Sequence, residues 1–162
     1  MIAGKTLYTA YGASLLAALL LQLVELPDAL AGARPMWLPL VIAYWALTEP
    51  RVSALVGAFL LGVVADVLFG SVLGEHALAL VVLAYLVTRL RVIFALFPLW
   101  QATLALIPGW VVYAFMLFWI DGATHHQANP WLRWLPIVST SLFWPLIYVT
   151  LEIMLGRREE EE

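Results

Sequence analysis

Long apolar stretches alternate with short charged segments along the whole chain. About 20 consecutive apolar residues in a helix are enough to cross the hydrocarbon core of a bilayer. The pattern predicts six transmembrane helices, approximately at 6–24, 35–48, 52–70, 76–89, 99–120 and 134–155. The expected fold is therefore an all-α integral membrane protein, with one six-helix bundle over 1–162 and an acidic cytoplasmic tail at 156–162.

Two of the apolar stretches have unusual lengths for a single crossing. The stretch 35–48 would form a helix about 21 Å long, against a hydrocarbon core of about 30 Å. It must therefore be tilted little, buried in the bundle, or lengthened by its flanks. The stretch 92–120 is too long for one crossing, and its prolines suggest an interfacial piece at 92–97 followed by a helix from Leu99 to Ile120 with a bend near Pro108.

The overall composition supports a membrane protein. Hydrophobic residues make up 64% of the chain and charged residues 12%, whereas an ordinary soluble domain has about 25% charged residues. A net charge of −3 with so few basic residues gives no reason to expect a nucleic-acid partner. Because the chain has no cysteine, it cannot form a disulfide or a thiolate metal site.

The third predicted helix carries a regular series of small residues. One residue in every four is small or acidic, namely Ala54, Ala58, Gly62, Asp66, Gly70 and Gly74. Residues four apart share a face of a helix, so the first four members of the series predict a narrow groove that ends in the Asp66 carboxylate and against which another helix can pack closely. That second helix could belong to the same chain or to a partner protein.

Asp66 is the one acidic residue within that groove. A carboxylate at the centre of a membrane helix costs about 2.5–3.5 kcal/mol on insertion scales, so it should face protein or water and have a partner. We expect a structural hydrogen-bond anchor that accepts from helix ends near Gly70 and Gly74 or from a neighbouring segment. The alternative is a charge that is needed for ion coupling or transport.

Catalytic and metal-binding signatures are weak in this chain. Asp121, His125 and His126 share a predicted loop on the same side as His76, but no HExxH motif or i,i+4 histidine pair accompanies them. Ser71 and His76 lie close in sequence without a GxSxG nucleophile motif. We therefore expect neither a catalytic site nor a bound metal or cofactor.

Several short motifs, taken in order, resemble the bacterial rod shape-determining protein MreD family. They are Arg34-Pro35-x-Trp37, Tyr44-Trp45, the Gly62-x3-Asp66-x3-Gly70-x3-Gly74 series, Ala84-Tyr85-Leu86, Leu99-Trp100-Gln101 and Phe143-Trp144-Pro145. The resemblance runs from about Leu16 to the last predicted helix. It adds Trp144 and Pro145 to the small-residue series as candidate helix-packing or partner-binding residues.

The resemblance implies a non-enzymatic scaffold for lateral peptidoglycan synthesis during cell elongation. Proteins of this family work with a single-span MreC protein, an MreB filament, and RodA with its penicillin-binding transpeptidase. The family is also distantly similar to the vitamin-binding membrane subunits of energy-coupling-factor transporters, which are six-helix bundles. A small-molecule-binding transporter subunit is therefore the alternative function.

The distribution of basic residues predicts the orientation in the membrane. Cytoplasmic loops are enriched in lysine and arginine. Placing the N-terminus inside puts six basic residues on the cytoplasmic side and two, Arg34 and Arg133, outside; the six are Lys5, Arg51, Arg89, Arg91, Arg157 and Arg158. The expected location is the bacterial inner membrane, with multiple passes and both termini cytoplasmic.

This topology is directly testable with reporter fusions. Alkaline phosphatase should be active when fused within 121–134, because that loop is expected outside, and green fluorescent protein should fluoresce when fused at the C-terminus. Alkaline phosphatase fused at position 50, which is expected inside, is the matched control and should be inactive. Active phosphatase at the C-terminus would mean that one of the six crossings does not exist.

Overall fold

A computed structural model describes residues 4–24, 27, 32–49, 54–94, 96–123 and 134–155. Within these parts the chain is entirely helical. The helices are α1 (Gly4–Leu23), α2 (Trp37–Thr48), α3 (Ala54–Phe69), α4 (Glu75–Phe94), α5 (Leu99–Ala123) and α6 (Leu135–Met154). The all-α prediction is confirmed for these residues, and the acidic tail lies outside them.

The short helix α2 lies at the centre of the bundle. All nine residues from Leu38 to Ala46 are buried, and α2 contacts α1, α3, α4 and α6. Its 12 residues rise only about 18 Å, well short of the hydrocarbon core. This short segment was expected to be tilted little, buried in the bundle or lengthened by its flanks. In the structure it is buried in the bundle.

Large aromatic side chains fill the centre of the bundle. Trp45, Trp110 and Trp144 are fully buried. The rings of Trp110 and Trp144 join α5 to α6, with centroids 6.0 Å apart. The indole Nε1 of Trp45 donates to Ser14 Oγ on α1 over 2.8 Å, so this polar atom is satisfied without water.

Helices α4, α5 and α6 are long and apolar enough to cross a membrane, whereas α1, α2 and α3 form shorter apolar segments. Large apolar side chains cover the outward faces, among them Val67, Leu104 and Val138, each more than half exposed. Such faces suit contact with lipid and would be costly in water. These features support the assignment of the chain as a membrane protein. That it crosses the membrane six times remains a prediction.

The boundary between α4 and α5 differs from the expected one. Helix α4 continues to Phe94, so the prediction of a separate interfacial piece beginning at Val92 is wrong. Nothing in the sequence breaks the helix before Pro98, which disfavours helical backbone at the residue that precedes it. Helix α5 begins at Leu99 as expected and contains Pro108 in its interior.

Helices α3 and α4 form the most extensive helix pair in the bundle. The two backbones approach closely at Gly62, because a Cβ atom added at this glycine would overlap backbone atoms of Ala77 at the start of α4. Backbone cannot move aside as the end of a flexible side chain can. The absence of a side chain at position 62 is thus a condition for this packing.

We predict that Gly62→Ala lowers the stability of the protein by about 1–3 kcal/mol, the usual cost of overpacking a close contact. The measurement is thermal unfolding in detergent. Gly12→Ala is the matched control, because a Cβ at Gly12 meets nothing within 4 Å and alanine favours a helix more than glycine does. Equal melting temperatures for the two variants would contradict close packing at Gly62.

Candidate functional site

The turn between α3 and α4 begins with a tight helix end. The backbone N–H of Ser71 donates to the carbonyl oxygen of Asp66 over 3.1 Å, and Gly70 has a φ of 66°. This pattern is a Schellman motif with glycine in the left-handed position that follows the last helical residues. Helix α3 therefore ends at Phe69, and the chain turns back at once.

The Asp66 carboxylate caps the start of the next helix. Its Oδ2 accepts from the backbone N–H of Gly74 over 2.7 Å, and its Oδ1 accepts from the backbone N–H of His76 over 2.9 Å. The first N–H groups of a helix have no partner within the helix, and the helix dipole favours a negative charge there. Asp66 on α3 thus satisfies the N-terminal end of α4.

Two side chains complete the environment of this carboxylate. Ser71 Oγ donates to Asp66 Oδ1 over 2.9 Å, and His76 Nδ1 lies 2.8 Å from the same oxygen. Asp66 is 1% exposed, so its charge is held by four donors and hardly at all by solvent. His76 was not predicted as a side-chain partner of Asp66, because the two residues are ten apart in sequence and only the reversal of the chain brings them together.

The contacts of Ser71, His76 and Asp66 are not those of a catalytic triad. In a triad the serine contacts Nε2 of the histidine while the carboxylate binds Nδ1. Here Ser71 Oγ lies 3.3 Å from Nδ1, the same nitrogen that faces Asp66. The cluster therefore holds the α3–α4 turn in place. Its serine does not contact Nε2 of His76, as a catalytic serine would.

The small-residue series divides into two parts in the structure. Ala54, Ala58, Gly62 and Asp66 are all buried on one face of α3. Gly70 and Gly74 lie in the turn with positive φ values of 66° and 100°, so they belong to the helix ends near which Asp66 was expected to accept hydrogen bonds. A left-handed backbone ends the helix at a glycine that happens to keep the four-residue spacing.

The other predicted packing residues lie on α6. Trp144 is fully buried, and its ring contacts those of Trp110 and Tyr148. Pro145 is half-buried and lies inside the helix. No group of three or more histidine, aspartate or glutamate side chains suited to a metal ion occurs among the described residues, and His125 and His126 lie outside them.

A cavity of about 320 Å³ opens beside the Asp66 cluster. It lies where α1 and α5 end and α2, α4 and α6 begin, so it is at one end of the bundle. Its polar lining consists of Gln22, Ser71, Glu75, His76, Tyr113 and Asp121. The sequence analysis did not predict it, because its residues come from five separate helix ends that only the fold brings together.

Glu75 is the most deeply buried carboxylate in the wall of this cavity. The residue is 4% exposed, and its Oε2 has no hydrogen-bond partner among the residues that the structure describes. Arg34 lies in the loop between α1 and α2, and its Nη2 donates to the carbonyl oxygens of Leu21, Gln22 and Val24 at the end of α1.

We predict a graded response to substitution of Asp66. Asp66→Leu removes both acceptors and leaves buried N–H groups unpaired, at about 1–3 kcal/mol for each group. Asp66→Asn keeps one oxygen that accepts from some of the four donors. Its melting temperature in detergent should therefore fall between those of the wild type and the leucine variant.

Val67→Leu is the matched control for the leucine substitution, because Val67 is exposed on the same helix and should tolerate the change. Complementation of a strain that lacks the protein is the second measurement, and the asparagine variant should retain far more of it than the leucine variant. If the asparagine variant stayed folded yet complemented as poorly as the leucine variant, the negative charge itself would be required and the anchor role would be wrong.

Comparison with known proteins identifies the family of this chain. The family model described as rod shape-determining protein MreD matches residues 4–154. A curated relative, the rod shape-determining protein MreD of Haemophilus influenzae, is 29% identical over 132 residues, which cover 82% of each of the two chains. No solved structure matches. Because the family match extends from the start of α1 to the end of α6, the chain belongs to the MreD family of rod shape-determining proteins.

Proposed function

We propose that this protein is a non-enzymatic scaffold in the bacterial inner membrane that supports lateral peptidoglycan synthesis during cell elongation. The observation that carries the proposal is the family match over residues 4–154, which spans all six described helices. The proposed partner that binds it directly is a single-span protein like MreC. Through that partner it would act with an MreB-like filament and with RodA and its penicillin-binding transpeptidase.

The packing of α3 bears on how such a scaffold would bind its partner. The face formed by Ala54, Ala58 and Gly62 is buried within the chain, so it supports the bundle and is not open to another protein. The apolar faces that remain exposed are on the outer sides of the helices, including α3, α5 and α6. A single-span partner would therefore bind on one of these faces, where lipid is displaced by close helix packing.

The arrangement of polar groups also fits a scaffold better than an ion-coupled transporter. Transporters place several ionisable groups along a pathway near the middle of the membrane. In this chain Asp66 is satisfied by the turn that it caps. Glu152 near the end of α6 accepts from the hydroxyl of Tyr44 over 2.8 Å.

A transporter subunit that binds a small molecule is the second candidate function. The cavity of about 320 Å³ favours it, because sites for small ligands begin at about 300 Å³. Binding of a ligand alone does not require translocation, so this cavity is compatible with a scaffold too. The two candidates differ in whether a protein partner is retained and whether a solute crosses the membrane.

The scaffold proposal predicts capture of the MreC-like protein by lipid-facing positions. A photo-crosslinking amino acid placed singly at Val67, Leu104 or Val138 samples the exposed faces of α3, α5 and α6. At least one position should crosslink to the partner in cells, and the two proteins should co-purify from detergent.

The matched control is a crosslinker at Ala58, which is fully buried and should give no intermolecular product. Native mass spectrometry of the purified protein supplies the opposing measurement. A stoichiometric metabolite on the protein together with no protein partner in either assay would reject the scaffold and favour the transporter subunit.

A further inference from the structure

The cavity at the end of the bundle contains a carboxylate that the protein does not satisfy. Glu75 lines the cavity and is 4% exposed, and its Oε2 has no partner among the described residues. A buried polar atom without a hydrogen bond costs free energy, and a buried charge without a counterion costs more. Such an atom in a cavity wall indicates a ligand that supplies the missing donor.

The charges around the cavity define the sign of that ligand. Asp121 also lines the wall but has an interaction of its own, so Glu75 is the carboxylate that the ligand would meet. His76 is directed by its Nδ1 towards Asp66, and Arg34 donates to the end of α1. Neither basic side chain donates to Glu75 Oε2, and a positively charged ligand would be attracted here.

The rest of the wall defines the shape of the ligand. Met36, Pro39, Leu117 and Pro136 supply apolar surface beside the carboxylates, which suits an aliphatic stem. The aromatic ring of Tyr113 is buried in the same wall, and such rings attract ammonium groups. A metal ion is a poorer match, because the described residues contain no group of three or more metal-ligating carboxylates and histidines.

We propose that this cavity binds a primary ammonium group carried on a short apolar stem, with Glu75 Oε2 accepting its N–H. Two sources share this chemistry, namely a soluble aliphatic amine and the headgroup of an aminophospholipid. The cavity volume of about 320 Å³ is large enough for either group. Because binding here requires no partner protein, the inference does not depend on the scaffold role.

The test measures binding to the purified full-length protein. In detergent, 1,5-diaminopentane should raise the melting temperature and give a saturable calorimetric signal, whereas 1,5-pentanediol, its neutral analogue, should do neither. In a second arm the protein is reconstituted with dioleoylphosphatidylethanolamine or dioleoylphosphatidylglycerol, and retained lipid is measured by native mass spectrometry. Binding of the amine alone identifies a soluble ligand, and selective retention of phosphatidylethanolamine identifies a lipid headgroup.

Glu75→Gln keeps the shape of the side chain and removes its charge. It should weaken binding of the ammonium ligand about tenfold or more, as expected for loss of a hydrogen bond to a charged group. Glu152→Gln is the matched control, because it lies about 24 Å from Pro136 along α6 and should bind as the wild type does.

Three results would overturn the proposal. They are equal binding of diamine and diol by the wild type, equal ligand binding by Glu75→Gln and the wild type, and no binding in either arm. The comparison of diamine with diol uses the wild-type protein alone, so it remains decisive if Glu75→Gln does not fold. Crosslinking to the MreC-like protein is a separate measurement, so failure of this site and failure of the scaffold role are distinguishable.

Discussion

The bonds between Asp66 and the start of α4 fix the most extensive helix pair of the bundle. The carboxylate accepts backbone N–H groups of Gly74 and His76, so an acidic residue of one helix satisfies the exposed amides of the next. Asp66 is buried, so water hardly replaces these bonds, which makes an unsatisfied helix end costly. With this end of the pair held, Gly62 can rest directly on the backbone at Ala77.

The same rule of internal satisfaction accounts for other polar side chains in the bundle. Trp45 donates to Ser14, Tyr44 donates to Glu152, and Gln22 accepts from the backbone N–H of Trp37 over 3.1 Å. Each bond joins two different helices, so polar groups contribute to the arrangement of the bundle as well as to its solvation. Among the described residues, the indole Nε1 atoms of Trp110 and Trp144 are buried without a partner, and so is Glu75 Oε2, which lies in the wall of a cavity.

Sequence reasoning placed the helices well, because apolar stretches and helical spacing are local properties. The shared face of Ala54, Ala58 and Gly62 follows from a spacing of four residues. The third helix was predicted to end at position 70, and it ends at Phe69, where Gly70 adopts a left-handed backbone. The partnership of Asp66 with His76 and the cavity beside it depend on how the chain reverses, and hydrophobic periodicity carries no information about that.

The central position of α2 has a consequence for biogenesis. This helix is synthesised second, yet it contacts α3, α4 and α6, all of which leave the ribosome later. At 12 residues it is too short to span lipid by itself. It therefore reaches its final surroundings only after the last helix has been made. Loss of the C-terminal helix would expose the centre of the bundle, so a truncated chain is an expected target of membrane quality control.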